Sequence, residues 1–342
     1  MDFVKVGEVG NPPDKNGAGC VPYAYEIAKY AISNADWCAF LNAVGEKASA
    51  LGLWHKDMET GVLGGIVDRG RRGKDSASPL RFAVKLGWEK KPVVYVNYLS
   101  LCRYCNWLQT SDTELGAYDL SVVPPKRKDG AKYFLPTNDE WYKAAYWDCS
   151  IVRLFDWFWW RGGYWKYPTR TNEIPSQDEA NFERGDQFSP LALQLVPDDS
   201  NSQTLKLSNP SNPSNPSNPS NPSNPYFYLT DVDEYADHPS PCGAVQMGGN
   251  AWEFLENVRR NAKGEWENTL RGGSFGYTET GLSKTNVDVT VYNGRCYVFG
   301  ARLARCVEGW RPRRMPLCWW IVKLGSLVGS RVRGLARWVR GR

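Results

Sequence analysis

The sequence predicts an α+β domain in which short helices surround small antiparallel sheets and much of the chain is irregular. Short segments with helical spacing follow segments rich in β-branched and aromatic residues. Two glycine pairs, at 248–249 and 272–273, lie next to aromatic and charged residues. Because glycine lets two backbone segments approach closely, we expect these pairs to meet around a polar site.

The first predicted elements are a strand and a short helix. Residues 21–32 are rich in aromatic and β-branched residues with rough alternation, which predicts a strand. Ser33 or Asn34 then caps a helix through Leu41, where apolar side chains recur at helical spacing.

Two further helices are predicted downstream. One covers 98–108, after a β-rich segment. The other begins after Thr137 and runs to about Trp147, because Thr137 and Glu140 have the spacing of a reciprocal capping box.

Composition and charge narrow the class of protein. The chain has 42% hydrophobic and 13% aromatic residues, which is ample for a core. The first residues lack the basic and apolar run of a signal peptide, so we expect a protein that is cytoplasmic at synthesis.

The nine cysteines have no regular spacing, which predicts reduced thiols. Cys102 and Cys105 lie inside a predicted helix, and we interpret them as buried thiols rather than as a redox or zinc half-site.

Two segments differ from the rest of the predicted domain, which covers 1–306. Residues 201–225 contain six Ser-Asn-Pro triplets, and proline at every third position predicts a disordered insertion in a surface loop. Residues 307–342 form a basic, tryptophan-containing tail whose end predicts an amphipathic basic helix. Its hydrophobic part is too short to span a bilayer, so the tail is expected to contact a membrane surface, nucleic acid or another subunit, unless it packs on its own domain or is disordered.

Several blocks occur in a fixed order between residues 3 and 306: PVVYVNYLSLCRYCNWL, KYFLPTNDEWYKAAYW, YPTRTNEIPSQDEANF, GGNAWEF, LRGGSF and GARLA. In this order they resemble the formylglycine-generating enzyme (sulfatase-modifying factor) family. The resemblance implies a C-type-lectin-like fold.

The resemblance also identifies where a catalytic copper site would lie. Catalytic members of the family oxidise a substrate cysteine at a copper ion held by two cysteines shortly after the Gly-Gly-Ser segment. The corresponding positions are Tyr277 and Leu282, and neither supplies the soft thiolate that copper(I) selects. The only histidines, His55 and His238, are too few for the histidine-rich iron sites of other relatives. We therefore expect neither copper nor iron, with a copper-dependent oxidoreductase acting on a protein cysteine as the alternative.

A structural calcium ion is the cofactor that the resemblance implies. The implied ligands are the carbonyls of Gly249 and Ala251, the carboxylate of Glu253, the side chain of Gln246 and, in a second site, Asn181. The alternative is that Glu253 forms a buried hydrogen bond or ion pair, with Arg271 or Arg302.

Residues 276–299 mingle polar and aromatic residues without the alternation of a core strand. This segment resembles the hypervariable region of diversity-generating retroelement variable proteins, which share the fold. There, randomised adenines cannot convert an Asn codon to Lys, Glu, Gln, Met or Trp. Residues 285–299 contain none of these five types.

The preferred hypothesis is a non-catalytic protein that binds a protein or cell-surface ligand through this segment. The expected ligand-binding residues are Tyr277, Thr278, Asn286, Asp288, Thr290, Tyr292, Asn293, Arg295 and Tyr297. The expected scaffold beneath them is Trp252, Arg271, Gly272, Gly273, Ser274 and Arg302. A further alternative is an inactive family member that acts in assembly through its basic tail.

Overall fold

The computed structural model describes residues 1–70, 80–155, 158–183, 193–197, 203–207 and 229–307. The helices are α1 (Asn34–Val44), α2 (Lys47–Ala50), α3 (Asp57–Thr60), α4 (Tyr98–Thr110), α5 (Asn138–Tyr146) and α6 (Glu279–Leu282). The strands are β1 (Phe3–Val6), β2 (Tyr25–Ala28), β3 (Ile66–Asp68), β4 (Phe82–Val84), β5 (Tyr118–Asp119), β6 (Lys126–Arg127), β7 (Tyr133–Phe134), β8 (Trp147–Phe155), β9 (Phe158–Tyr164), β10 (Leu193–Pro197), β11 (Gln203–Leu207), β12 (Trp252–Arg260), β13 (Trp266–Arg271), β14 (Asp288–Val291), β15 (Phe299–Gly300) and β16 (Ala304–Cys306).

Two four-stranded sheets organise these elements. The first has the order β1-β2-β16-β7 and is antiparallel throughout, so it joins the first and last described strands through β2. The second has the order β14-β13-β12-β15, in which only the β12–β15 pair is parallel. The remaining described strands pair as short two-stranded ribbons. Short helices around small sheets are the α+β arrangement that the sequence predicts.

One hydrophobic cluster forms most of the core. Trp37, Trp141 and Trp252 are among its largest buried side chains, each at most 1% exposed. The Trp37 ring packs against Phe40 of its own helix and Tyr104 of α4, with ring centroids 5.2 Å apart in both pairs. The contact with Tyr104 joins α1 to α4 through packed aromatic rings.

The predicted helix starts are confirmed. Ser33 caps α1 in a reciprocal box with Asp36, and Asn97 caps α4. In α5 the Glu140 amide donates to Thr137 Oγ1 at 3.2 Å, while the Thr137 amide donates to Glu140 Oε2 at 2.6 Å. These caps depend on residues three apart in the chain, which is why the sequence alone locates them.

The strand predicted over 21–32 is shorter in the structure, where only β2 is paired. Pro22 lacks an amide donor. At the other end, the Ile32 amide donates to the Ala301 carbonyl and the Ile32 carbonyl accepts from Val93, so Ile32 bonds outside the ladder. The prediction was wrong about length because it overlooked the missing donor of Pro22 at one end and could not foresee the distant partners of Ile32 at the other.

Two sequence predictions concern segments that the structure describes only in part. Within 201–225, residues 203–207 form β11 and pair with β10, and the Ser-Asn-Pro triplets lie outside the described residues. The tail also lies outside them, apart from residue 307. No helix in the described ranges is long and apolar enough to cross a membrane.

Cys102 and Cys105 are fully buried, and burial raises the pKa of both thiols, as expected for inert core cysteines.

A partly buried carboxyl, with one oxygen fully buried, lies where β12, β6 and α5 meet. Glu256 Oε2 lies 3.1 Å from Arg127 Nε, and the same guanidinium lies 3.5 Å from Glu140 Oε1. The pKa of Glu256 is raised to about 7, first by burial and also by the Glu140 carboxylate, against the opposing effect of Arg127. One guanidinium therefore shares its charge between two carboxyl groups.

Glu256 is expected to make the protein less stable as the pH rises. A carboxyl whose pKa is higher in the folded protein binds a proton on folding, so its stabilisation is complete below the unfolded pKa and is lost as the pH rises through about 7. The shift corresponds to about 3 kcal/mol between about pH 5 and about pH 8. Urea denaturation at both pH values measures it. Glu256→Gln should flatten the dependence, while the partly exposed Glu267→Gln should leave it unchanged, and an equally steep dependence in Glu256→Gln would contradict the assignment.

Candidate ligand-binding site

The two glycine pairs meet in the structure. The Gly249 amide donates to the Gly272 carbonyl at 2.8 Å. Gly249 has φ +83°, and a Cβ there would lie 2.2 Å from the Asn181 carbonyl oxygen. Gly273 has φ +78°, and its Cβ would lie 2.9 Å from the Gly281 carbonyl carbon. A side chain at Gly249 would therefore push away the backbone at Asn181, and one at Gly273 would push away the backbone at Gly281.

A buried ion pair lies beside this junction. Arg302 is fully buried and Glu253 is 3% exposed. Arg302 Nη2 lies 2.8 Å from Glu253 Oε1, and Arg302 Nε lies 2.9 Å from both carboxylate oxygens. Trp141 Nε1 donates a further hydrogen bond to Glu253 Oε2 at 2.6 Å. In the structure, Glu253 therefore forms the buried ion pair that was the alternative to a calcium ligand, and its partner is Arg302.

Arg302 also bonds to backbone on both sides of the pair. Its Nη1 donates to the carbonyls of Ala28 and Lys29, and its Nη2 donates to those of Val245 and Gln246. Ala28 ends β2 of the first sheet, whereas Glu253 lies on β12 of the second. The guanidinium thus connects the two sheets and the loop before the Gly248–Gly249 pair.

The residues expected to hold calcium come together, but the donor set does not fit the ion. Gln246, Gly249, Ala251 and Glu253 line a cavity of about 10 Å³, the space that one water molecule needs. Gln246 Oε1 already accepts from Asn250 at 2.6 Å. Among the described residues that line the cavity, Glu253 supplies the one carboxylate, and the Arg302 guanidinium that is paired with it opposes the binding of a cation there.

The second implied metal residue belongs to the same polar network. Asn181 Nδ2 lies 3.3 Å from Asn250 Oδ1, which also accepts from the Thr230 amide. Asn250 Nδ2 donates to the Thr230 carbonyl and to Gln246. These side chains bind one another and close the loop around 230 against the Gly249 turn.

Arg271 holds the part of the 276–299 segment that precedes β14, from the interior of the protein. It is 1% exposed, and its Nη1 donates to the carbonyls of Lys284 and Asn286 at 3.1 and 2.8 Å. Its Nε donates to Asn138 Oδ1 at the start of α5, and the guanidinium lies 4.9 Å from the Tyr142 ring centroid. Burial lowers the pKa of Arg271. The arginine therefore ties the irregular backbone before β14 to α5.

Two of the predicted ligand-binding residues, Arg295 and Thr290, lie inside the protein, and a third, Asn293, is half-buried. Arg295 is 5% exposed and donates to the carbonyls of Tyr95 and Gly52 at 2.7 and 2.5 Å. Thr290 is 9% exposed. Asn293 has φ +59°, and its Oδ1 accepts from the second amide of α4, that of Leu99, at 3.0 Å. Arg295 and Thr290 therefore lie away from solvent, while the side chain of Asn293 anchors the segment to α4.

The predicted tyrosines lie half-buried, each against one core aromatic ring. Tyr277 packs edge-on against Trp252, with ring centroids 5.0 Å apart. Tyr297 lies 6.4 Å from Phe275 and Tyr292 lies 6.2 Å from Tyr98. Burial raises the pKa of Tyr277 and of Tyr292 to about 12, so both hydroxyls remain neutral donors near neutral pH. Each ring is held by packing while part of it reaches solvent.

The remaining predicted contacts are also partly exposed. Asp288 pairs with Leu270 in the β13–β14 ladder, and its carboxylate is a charged neighbour that raises the pKa of Tyr277. Thr278 Oγ1 lies 2.7 Å from Thr280 Oγ1. Asn286 uses its carbonyl for Arg271, leaving its side chain half-exposed.

The positions that would carry a copper thiolate pair are a half-buried tyrosine and a fully buried leucine, Tyr277 and Leu282. The neighbouring thiol, Cys296, is fully buried, and burial raises its pKa to about 12. The expected scaffold lies beneath this surface: Trp252, Arg271, Gly272, Gly273, Ser274 and Arg302 are all buried.

Several residues that shape the site were not predicted. Asn268, fully buried in β13, accepts from the Asn293 amide at 3.0 Å. Tyr95 has φ +61°, and its carbonyl receives Arg295. Gly52 lies more than two hundred positions from Arg295 in the chain, so no local pattern connects them. Asn138 could have been suspected, since it belongs to one of the blocks shared with the family.

Replacing Glu253 is expected to destabilise the protein strongly. Glu253→Gln leaves the Arg302 cation buried without a charged partner, which costs about 3 kcal/mol or more. The matched control is Glu267→Gln, which removes an ion pair to the exposed Arg259 and should cost less than about 1 kcal/mol. Urea denaturation of both variants gives the two free energies of unfolding. Equal losses would show that the buried pair contributes no more than the exposed one.

The family model described as a sulfatase-modifying factor enzyme 1-like domain matches residues 15–307. No curated protein matches the chain. Among solved structures it is similar to CarF, with 15% identity, 90% of this chain and 99% of that chain covered, and a TM-score of 0.47. It is also similar to Treponema denticola variable protein 1, with 15% identity, 89% of this chain and 95% of that chain covered, and a TM-score of 0.47. For PvdO from Pseudomonas aeruginosa the identity is 16%, the coverage is 90% of this chain and 92% of that chain, and the TM-score is 0.41. Since the family model covers most of the sequence, this chain belongs to the family of sulfatase-modifying factor enzyme 1-like domains and has its C-type-lectin-like α+β fold.

Proposed function

We propose that this protein binds a protein or cell-surface ligand non-covalently and without catalysing a reaction. The partly exposed side chains of residues 276–299 would form the binding surface. One observation carries the proposal. Buried arginines hold the backbone of this segment from the protein interior, while several of its side chains remain partly exposed to solvent. Arg271 holds the segment at Lys284 and Asn286, and Arg295 holds it at the other end. Between these points β14 pairs with β13.

The exposed side chains suit recognition. Tyr277, Tyr292 and Tyr297 are each packed against one core ring, so they lose little conformational entropy on binding. Asp288 adds a charge next to Tyr277. Aromatic anchors beside a few polar groups are typical of binding surfaces.

The chemistry of the nearby residues favours binding over oxidation. A copper(I) site needs thiolates, and the two positions that the family uses hold Tyr277 and Leu282. The pKa of Cys296 is raised, which disfavours its thiolate. We further propose that the exposed positions are diversified, as in retroelement variable proteins.

The side chains above the fixed backbone should be exchangeable. We expect Tyr277→Ser and Tyr297→Ser each to lower the free energy of unfolding by about 1 kcal/mol and to leave the fold intact. Arg295→Met should cost about 2–4 kcal/mol, because it leaves the buried carbonyls of Tyr95 and Gly52 unpaired. Circular dichroism and urea denaturation test this. A tyrosine variant that costs as much as Arg295→Met would contradict a display surface.

Sequencing the coding region and its flanking DNA from several isolates tests diversification. Substitutions should concentrate at the exposed positions 277, 278, 286, 288, 292 and 297 and match adenines of a nearby near-repeat beside a reverse transcriptase gene. The codons of Glu253, Arg271 and Arg302 should stay constant. An invariant segment, or substitutions spread evenly through the gene, would overturn diversification.

A further inference from the structure

A surface cavity of about 290 Å³ lies where the end of β2, the start of α1 and the loops around 90 and 232 meet. The residues of the 276–299 segment take no part in its lining, so the cavity is separate from the candidate ligand-binding site. Its volume is close to the lower limit for small-molecule pockets, which is about 300 Å³. The cavity therefore has room for a ligand about as large as an amino-acid side chain.

Hydrogen bonds hold the walls of this cavity in place. The Ala35 amide at the start of α1 donates to the Glu89 carbonyl at 3.0 Å. The Val232 amide donates to the Lys90 carbonyl at 2.9 Å, which joins the two loops. The last carbonyl of β2 accepts from the buried Arg302 at 3.0 Å. Because these segments are already fixed to the body of the protein, a ligand would not have to order them on binding.

The interior of the cavity is aliphatic and aromatic. Ala28 and Val232 are 2% and 7% exposed, and Ala31 and Tyr30 add further apolar surface beside them. Lys29 Nζ lies 5.3 Å from the centroid of the Tyr30 ring, so this ring already stabilises one ammonium group. Apolar surface of this kind favours a ligand with a hydrocarbon body.

Carboxylates predominate among the charged groups that line the cavity. They belong to Asp2, Asp36, Glu89 and Asp233, whereas the positive groups are those of Lys90 and the amino group of Met1. Lys90 Nζ is bound to Asp233 at 2.7 Å. The exposed side chains of Asp2 and Glu89 form no ion pair with another described residue. This excess of negative charge at the mouth of the cavity favours a cation.

The arrangement fits an organic cation better than a metal ion or an anion. No group of three or more His, Cys, Asp or Glu side chains in the described ranges is placed to hold a metal ion, so these carboxylates surround a volume instead of meeting at a point. The start of α1 offers no anion site, because the amides of Asn34, Ala35 and Asp36 already donate to oxygens of the protein.

We propose that this cavity binds a small aliphatic amine in its ammonium form. The hydrocarbon chain of the amine lies against Ala28, Ala31 and Val232, and its ammonium group lies at the mouth, near the carboxylates of Asp2 and Glu89. The apolar contact and the charge attraction are both needed, since neither a neutral alkyl chain nor a bare cation uses the whole lining.

Three compounds with the same five-carbon chain test the role of charge: pentylamine, pentanol and pentanoate. Each is titrated into the full chain while the backbone amide shifts are followed by NMR spectroscopy. Pentylamine should bind most tightly and pentanoate most weakly, and the shifts should include the amides of Ala31 and Val232. Added salt should weaken the binding of pentylamine more than that of pentanol, because it screens the carboxylates.

Two sets of substitutions should change the affinity for pentylamine in opposite directions. Lys90→Gln releases Asp233 from its ion pair and should tighten binding by about two- to fivefold. Asp2→Asn combined with Glu89→Gln should weaken binding by about fivefold. Because a loss of structure does not tighten binding, the result with Lys90→Gln is independent of any effect on folding.

Matched controls separate the cavity from the net charge of the protein. Lys263→Gln, and Asp129→Asn combined with Glu265→Gln, make the same changes of charge at exposed positions outside the cavity lining and should leave the affinity unchanged. Ala35→Leu places a larger side chain in the cavity and should abolish the binding of pentylamine, with an unchanged circular dichroism spectrum.

Four results would each overturn the proposal. The first is an absence of pentylamine binding, and the second is equal affinity for pentylamine and pentanol. The third is an affinity for pentylamine that Lys90→Gln does not tighten or that Ala35→Leu does not reduce. The fourth is tighter binding of acetyl-lysine methylamide than of pentylamine, which would identify the lysine side chain of a protein as the ligand in place of a free amine.

Discussion

The buried pair of Glu253 and Arg302 is the interaction on which the rest of the structure depends. The guanidinium bonds to the carboxylate on β12 and to backbone carbonyls at the end of β2 and before the Gly248–Gly249 turn. Removing either side chain would leave a buried charge or several unpaired carbonyls. Such a pair adds little net free energy relative to an apolar contact, but it tolerates few alternative arrangements of the segments around it.

Buried cations recur wherever this fold lacks regular pairing. Irregular segments inside a protein leave carbonyl groups without the donors that a helix or sheet would provide. Arg302, Arg271 and Arg295 supply donors to eight such carbonyls, and the buried Lys143 supplies one to Glu8. Burial lowers the pKa of Lys143 to about 8, which reflects the cost of holding its charge away from water.

This use of arginine explains how a segment with little ladder pairing can be held rigidly. Arginine side chains hold its backbone at Lys284, Asn286 and Arg295 from the interior, while its tyrosines pack against core rings and keep part of their surface in solvent. A surface of this kind is suited to recognition, where rigidity of the backbone and freedom of the side chains are both needed.

The sequence by itself determined the features that depend on neighbouring residues or on a family pattern. The starts of α1 and α5, the meeting of the glycine pairs and the family itself could be predicted from local patterns and ordered blocks. Only the tertiary structure decided which arginine pairs with Glu253, since the sequence offered Arg271 equally. It also decided that Arg295 points inward, because its acceptors, the carbonyls of Gly52 and Tyr95, lie about two hundred residues away and no local pattern reports them.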